Sequence, residues 1–174
     1  MIHPIFKKGS VMKKESVEPP EIKLVGITVR TCNEDELDPI KGKIAPCVQR
    51  YFHNNLFEKI PLRKRPQVTY CAYTEYESNF KGAYTYFIGE EVSSFEEPLP
   101  EGFCSLVIPK QKYIKMTTER GPMPHVVMDA WQSIWTMSPD ELGGGRSYGV
   151  DFEVYDERAK DHGNVILDIY VGVK

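Results

Sequence analysis

The pattern of apolar and polar positions predicts the order strand, helix, strand, strand in the first half of the chain. Residues 22–30 (IKLVGITVR) are rich in β-branched residues and are followed by a polar loop that contains a proline. Residues 67–76 and 83–92 are strand-like and surround a polar turn, so they predict a hairpin. Between these segments one apolar face recurs at helical spacing, at Ile44, Val48, Tyr51, Phe52 and Leu56.

The same order of elements recurs in the second half. Residues 111–119 predict a strand, and Pro124 opens a helix. The apolar face of that helix consists of Val127, Ala130, Trp131, Ile134 and Trp135. Residues 147–157 and 164–174 predict a closing hairpin whose end resembles that of the first hairpin. A further strand is expected near 103–108.

This repetition predicts an α+β domain over residues 21–174, built from a duplicated βαββ unit. The two copies cover 21–92 and 111–174, and 93–110 connects them. Each copy alone has too few strands for a stable core, so we expect its twin to complete that core. We expect both helices on one face of the sheet and a ligand groove between the copies. Residues 1–20 are interpreted as a flexible N-terminal tail.

Composition and charge narrow the classes of function. The 174 residues are 41% apolar and 27% charged, which is typical of a globular protein. The net charge of −3 lacks the basic excess of nucleic-acid binders, so we expect no direct nucleic-acid binding. No apolar run approaches about 18 residues, and no signal-peptide core is evident. We therefore expect no membrane association and a cytoplasmic location.

Residue spacing does not support metal, cofactor or nucleophile chemistry. The four cysteines (Cys32, Cys47, Cys71 and Cys104) contain no CxxC pair, and the four histidines are scattered, so we expect no metal site and no cofactor. The glycine-rich segment 143–147 lacks the ending of a phosphate-binding loop and precedes a strand, so it predicts a flexible loop. No catalytic residue can be named.

The closing hairpin carries the candidate binding residues. On its first strand, alternation places Phe152 on one face and both Glu153 and Tyr155 on the other. On the partner strand, alternate residues over 165–171 are apolar, which assigns them to the core beneath the helices. We therefore expect Tyr170 on the second face of the sheet, together with Glu153.

A carboxylate flanked by tyrosines in the middle of a strand is unusual on a solvated surface. In a cavity, desolvation makes an unpaired Glu153 costly, and an incoming cation relieves that cost. Aromatic faces add a cation–π attraction of roughly 0.5–2 kcal/mol. Two interpretations stay open: a pocket for a lipophilic cation, or a solvent-facing strand with ordinary surface carboxylates.

Trp131 and Trp135 lie one helical turn apart on the same face of the second helix. Both suit a hydrophobic core. In the alternative interpretation one of them closes an end of the groove as a stacking wall, and Trp131 is favoured because it is central to the helix.

The chain resembles the AraC-type effector-binding domains, also called GyrI-like, and within them the stand-alone, integron-cassette branch. The resemblance covers about residues 22–174 without large gaps. It lies in the motifs RTCNEDE with GKIAP, YTEYES…KGAYTYFIGEEV, IPKQKYIKMTTERG, AWQSIW and DFEVYDER…LDIYVGVK.

This resemblance implies a duplicated βαββ fold with a ligand groove between the copies. In related multidrug-sensing regulators, a buried glutamate of the closing hairpin meets cationic amphipathic drugs among aromatic side chains. Glu153 occupies that motif position, and Tyr170 matches the aromatic residue of the last strand. The implied ligand-binding set is Glu153, Tyr170, Trp131, Phe87, Tyr86 and Tyr155.

The sequence departs from its relatives in two places. Relatives that act as transcription factors carry an added helix-turn-helix, for which the residues before position 22 are too few, so direct promoter binding is not expected. Many relatives have a tryptophan in the first helix where CVQRYF stands at 47–52, which implies a different pocket volume or ligand preference.

Three functions are therefore compared. The first is a stand-alone module that senses or sequesters hydrophobic cationic, drug-like molecules, with a link to transcription regulation through a separate regulatory protein partner. The second is a GyrI-like hydrolase of reactive xenobiotics, in which Glu153 and a tyrosine would position water or protonate a leaving group. The third is an interaction protein in the style of a gyrase inhibitor. The first is favoured, and an enzyme is less expected.

Overall fold

The alternating apolar segments pair into one antiparallel sheet in the computed structural model, which describes residues 12–174. Its strands are β1 (Lys13–Val17), β2 (Ile22–Cys32), β3 (Thr69–Thr74), β4 (Ala83–Glu91), β5 (Cys104–Ile108), β6 (Tyr113–Thr117), β7 (Asp151–Tyr155) and β8 (Asp168–Gly172). Its α-helices are α1 (Asn33–Glu36), α2 (Ile44–His53), α3 (His125–Thr136) and α4 (Pro139–Leu142). The predicted strands and both longer helices are confirmed, with ends that differ by a few residues.

The order of strands across the sheet is β1-β6-β8-β7-β3-β4-β2-β5. Strands β2, β3 and β4 thus form one half and β6, β7 and β8 the other, and the halves meet where β3 pairs with β7. Each half also contributes one long helix, in the order strand, helix, strand, strand. The α+β class is confirmed. This arrangement matches a duplicated βαββ unit, and the duplication itself stays a prediction.

Directly paired residues in antiparallel strands point to the same face, so the register shows which side chains lie beneath the helices. One row across the sheet runs Ile27, Ile88, Cys71, Glu153, Ile169 and Met116. Helix α2 packs with the residues of this face on β2 and β4 through Cys47 and Tyr51. Helix α3 packs with those on β6 and β8 through Ala130 and Ile134. Both long helices therefore cover one face, as predicted.

The adjacent row faces the other side of the sheet. It runs Thr28, Phe87, Ala72, Phe152, Tyr170 and Lys115. Phe87 and Phe152 are buried there in a separate apolar cluster, and Tyr170 packs against it. The rings of Phe152 and Tyr170 stack with centroids 4.4 Å apart.

The expected flexible tail over residues 1–20 is wrong for its second part. Residues 13–17 form β1, which pairs with β6 at the edge of the sheet. Met12 is buried in the core cluster beneath α3. Four of the five β1 side chains are exposed, so the segment shows no apolar alternation from which a strand could be predicted. Residues 1–11 lie outside the described part of the chain.

Within residues 12–174, no helix combines the length and the apolar character that crossing a membrane requires.

Candidate functional site

A cavity of about 870 Å³ lies over β3 and β7, in the space left between α2 and α3. Its floor is the junction of the two halves of the sheet, because α2 covers the strands on one side and α3 those on the other. The aromatic side chains that matter for its chemistry are Tyr73, Tyr76, Tyr86, Trp131 and Tyr155. Glu153 lies in the floor.

Three neutral groups donate hydrogen bonds to the Glu153 carboxylate. The Tyr73 hydroxyl and the Trp131 indole Nε1 donate to Oε1, at 2.7 and 2.6 Å. The Tyr155 hydroxyl donates to Oε2 at 2.7 Å. Glu153 is only 1% exposed, and none of the ion pairs formed by residues 12–174 includes it. The side chain is thus a desolvated acid that is hydrogen-bonded but has no counter-ion.

Burial and hydrogen bonding act on Glu153 in opposite directions. Removal from water raises the pKa of its carboxyl group, and the bonds from Trp131, Tyr73 and Tyr155 lower it, with a net pKa above the ordinary value. Burial, followed by the negative charge of Glu153, holds the pKa of Tyr73 and of Tyr155 well above that of a free tyrosine. Both hydroxyls therefore stay protonated and remain donors near neutral pH.

Aromatic packing fixes these donors. The Tyr73 ring lies edge-on to Trp131, with centroids 5.0 Å apart, and edge-on to Tyr86 at 5.5 Å. The Tyr86 hydroxyl donates to Cys71 Sγ at 3.1 Å and does not contact the carboxylate. Edge-to-face contacts of this kind stabilise one arrangement of the rings. The carboxylate in the floor is thus surrounded by aromatic side chains that pack in a fixed arrangement.

An ion pair of Arg146 with Asp151 lies on the same part of the sheet as Glu153, since Asp151 is two residues before it on β7. Arg146 Nη2 is 2.6 Å from Asp151 Oδ2, and the Tyr76 hydroxyl donates to the same oxygen at 2.6 Å. The backbone N–H of Gly172 donates to Asp151 Oδ1 at 2.8 Å. Asp151 is fully buried, whereas Arg146 is one of the residues that line the cavity.

The structure brings four of the six predicted binding residues together, namely Glu153, Trp131, Tyr155 and Tyr86. The placement of Phe87 and Tyr170 at the same cavity is wrong, since both lie on the opposite face of the sheet. The expected side for Glu153 is also wrong. In the register of β7 with β8, Glu153 pairs with Ile169, beneath the helices, and Phe152 pairs with Tyr170.

Three residues of the site were not identified from the sequence: Tyr73, Tyr76 and Arg146. Tyr73 was one of several tyrosines in a predicted strand, and alternation separates it from Tyr70 without showing which of the two lies beneath the helices. Arg146 follows three glycines in a segment whose composition predicts only a flexible loop. No local sequence pattern marks its pairing with Asp151, because the burial of that carboxylate is set by the fold.

None of the residues in 12–174 forms a group of three or more His, Cys, Asp or Glu side chains that could hold a metal ion. The chemistry of the cavity is therefore described from its carboxylate, its guanidinium and its aromatic rings.

Comparison with known proteins places the chain in a known family. Residues 16–173 match the family model of integron-associated effector binding proteins. A candidate transcriptional regulator of Bacillus subtilis (strain 168), YobU, is 24% identical over 152 residues, which span 87% of this chain and 92% of YobU.

Two solved structures share the fold. The integron cassette protein VCH_CASS2, from the mobile metagenome of Vibrio cholerae, is 26% identical, with a TM-score of 0.71, and the match covers 92% of this chain and 95% of that one. SAV2435, solved bound to tetraphenylphosphonium, is 16% identical, with a TM-score of 0.71 and 94% of each chain covered. The resemblance found in the motifs is confirmed: the chain belongs to the family of integron-associated effector binding proteins.

Proposed function

We propose that this protein binds hydrophobic cations in the cavity above β3 and β7, with Glu153 as the counter-charge, and so senses or sequesters small molecules. Membership of an effector-binding family supports a small-molecule ligand. The name of YobU supports a link to transcription regulation. In this proposal a separate regulatory protein reads the state of the cavity.

The observation that carries the proposal is a buried carboxylate with three donors and no cation. Hydrogen bonds from neutral groups favour the ionised form but leave the net charge in place. In a desolvated site that charge attracts a cation more strongly than it would in water. A ligand that brings one positive charge supplies what residues 12–174 do not provide to Glu153.

The walls favour a hydrophobic cation over a small hydrated one. The volume of about 870 Å³ falls within the roughly 300–1,000 Å³ typical of small-molecule sites. The rings of Tyr73, Tyr86 and Trp131 offer apolar area and negative π-faces to a delocalised charge. The fold shared with SAV2435, which was solved with tetraphenylphosphonium, supports the choice of that cation as a probe.

Titration with tetraphenylphosphonium, followed by quenching of tryptophan fluorescence, tests the proposal. Wild-type protein is expected to bind saturably, and Glu153→Gln is expected to weaken binding about ten- to a hundredfold, since a charged contact in a desolvated site is lost. Neutral triphenylphosphine oxide, which carries three of the same rings, is expected to bind both proteins alike.

Glu90→Gln is the matched control. Glu90 is also 1% exposed, but it is paired with Arg63 at 2.7 Å and does not line the cavity. This substitution is expected to leave the affinity for tetraphenylphosphonium unchanged. Equal binding of the cation by wild type and Glu153→Gln would remove Glu153 from the proposed role, and absence of binding by wild type would refute the function.

A further inference from the structure

Arg146 places a second charge, of opposite sign to Glu153, at the same cavity. Its side chain is 8% exposed, and Asp151, its partner at 2.6 Å, is not exposed at all. Because Asp151 does not line the cavity and Arg146 does, a ligand meets the positive end of this ion pair.

Two nitrogen atoms of the Arg146 guanidinium donate no hydrogen bond to residues 12–174. Among residues 12–174, neither Nε nor Nη1 has a hydrogen-bond partner, and both are shielded from solvent. Buried donors without partners destabilise the state that contains them. Because Nε and Nη1 lie on opposite edges of the guanidinium, one carboxylate reaches only one of them. Such a contact is a charge-assisted hydrogen bond and removes part of this cost.

The two charged groups meet at one side chain. The indole Nε1 of Trp131 donates to Glu153 at 2.6 Å, and the Arg146 guanidinium carbon lies 5.9 Å from the centre of the Trp131 ring. The negative and positive poles therefore both contact the same indole ring, so one aromatic ligand beside Trp131 lies near both.

We propose that the cavity selects dipolar ligands: aromatic cations that also carry a carboxylate, with the positive part near Glu153 and the carboxylate on Arg146. This inference rests on the proposed function and specifies its ligand class.

The Tyr148 ring covers the guanidinium at 4.3 Å. In this proposal the ring turns aside to admit the carboxylate. The Tyr148 backbone has a φ of 51°, which a residue with a side chain rarely adopts. The chain just before it contains three consecutive glycines, at 143–145, which restrict the backbone little. Packing therefore fixes the position of Tyr148 more than backbone preference does.

Rhodamine B and its ethyl ester test the proposal as a matched pair. They share the same cationic ring system and differ in the free carboxylate, which the ester lacks. Isothermal titration calorimetry at neutral pH is expected to show the acid binding wild type about tenfold more tightly than the ester, the gain of a charge-assisted pair less the cost of moving Tyr148. Charge attraction to Glu153 alone predicts the reverse order, because the ester carries the greater net positive charge.

Two variants assign the preference to Arg146. The double substitution Arg146→Met with Asp151→Asn removes both charges of the pair, so no buried charge is left alone, and it is expected to abolish the preference for the acid. Arg146→Lys keeps a cation beside Asp151 but lacks the planar guanidinium with its additional donors, and it is expected to lower the preference to about threefold. Circular dichroism establishes that each variant is folded. Lys110→Gln, which removes an exposed cation away from the cavity lining, is the control and is expected to leave the preference unchanged.

The outcomes separate this inference from the proposed function. If tetraphenylphosphonium binds in a Glu153-dependent manner and the ester binds wild type as tightly as the acid, the dipolar preference is wrong and the cation site stands. A preference for the acid that persists in the double variant refutes the role of Arg146. If wild type binds neither dye nor tetraphenylphosphonium, both proposals fail together.

Discussion

Glu153 combines two features that rarely occur together: it is buried with three hydrogen-bond donors, and among residues 12–174 it has no counter-ion. Burial alone would protonate it, and the bonds from Trp131, Tyr73 and Tyr155 oppose that. Its pKa remains above the ordinary value, so the acid is protonated at a higher pH than an exposed glutamate. Because cation binding requires the ionised form of Glu153, the affinity for the cation must fall as the pH falls through this raised pKa.

The pH profile of tetraphenylphosphonium binding tests that balance, because the ligand has no titratable group. The affinity of wild type is expected to fall as the pH is lowered through the raised pKa of Glu153. Tyr73→Phe is expected to move the midpoint of that fall to higher pH, since one hydrogen bond to the ionised form is lost. Fluorescence titration at each pH measures both profiles.

Tyr86→Phe provides the control for the loss of a hydroxyl in the same wall. The Tyr86 hydroxyl bonds to Cys71 Sγ and not to the carboxylate, so its removal is expected to leave the midpoint nearly in place. A midpoint that Tyr86→Phe moves as far as Tyr73→Phe does would show that aromatic packing, and not the hydrogen bond, sets the ionisation of Glu153.

At the scale of elements, the sequence predicts the strands well and the faces of the strands poorly. Hairpins and helices follow from local periodicity, which is why the closing hairpin was identified from its alternation. Both faces of β7 are buried, however, with Phe152 and Val154 on one side and Asp151 and Glu153 on the other. Alternation then divides the residues into two sets but does not tell which set lies beneath a helix.

The missing information is long-range. Glu153 faces α3 because Trp131, 22 residues earlier, donates to it across the cavity, and because β3 pairs with β7 in a register that sets Cys71 opposite Glu153. Neither contact leaves a local pattern. The same holds for Phe87 and Tyr170: their positions in the motif do not show which face of the sheet they occupy, and only the pairing of the strands does.

A pair of glycines allows the close approach of β2 and β4. Gly26 on β2 is paired with Gly89 on β4, and a Cβ on Gly89 would lie 2.1 Å from the carbonyl oxygen of Val25 and 2.8 Å from the Gly26 Cα. The neighbours are backbone atoms, which cannot yield as a flexible side chain can. The two strands approach each other more closely than any side chain allows.

Gly89→Ala is therefore expected to lower the free energy of unfolding by roughly 2–3 kcal/mol, as overpacking of a rigid contact does. Urea unfolding followed by circular dichroism measures it. Gly145→Ala is the control: a Cβ there meets nothing within 4 Å, and the expected change is within about 0.5 kcal/mol. Equal stability of the two variants would refute the close-approach argument.

At the scale of the whole molecule, the cavity lies where the two halves of the sheet join. The floor pairs Cys71 of the first half with Glu153 of the second, and the walls come from α2 on one side and α3 on the other. A ligand bound here contacts both halves, so its binding energy stabilises the join between them and not one half alone. Binding is thus expected to appear as a change in global stability.

Thermal unfolding measures that change. Tetraphenylphosphonium at about a hundred times its Kd should add about 2.7 kcal/mol to the stability of wild type, and thus raise Tm by roughly 5–10 °C for a chain of this size. Glu153→Gln should lose most of this increase.

Without ligand, the Tm of Glu153→Gln near neutral pH should not fall below that of wild type. A raised carboxyl pKa means that the folded state binds the proton more tightly than the unfolded state does, so ionisation of Glu153 costs stability as the pH rises through that pKa, and the amide avoids this cost.

Glu90→Gln should behave in the opposite way. It weakens the buried pair with Arg63 and so lowers Tm without ligand, but it leaves the cavity intact and should keep the full increase on binding. If Glu153 serves ligand binding, it increases the affinity for the cation and lowers the stability of the free protein, whereas Glu90 contributes to stability alone. If Glu153→Gln lowered Tm without ligand as Glu90→Gln does, and both variants kept the increase with ligand, Glu153 would be a structural acid and the cation would bind elsewhere.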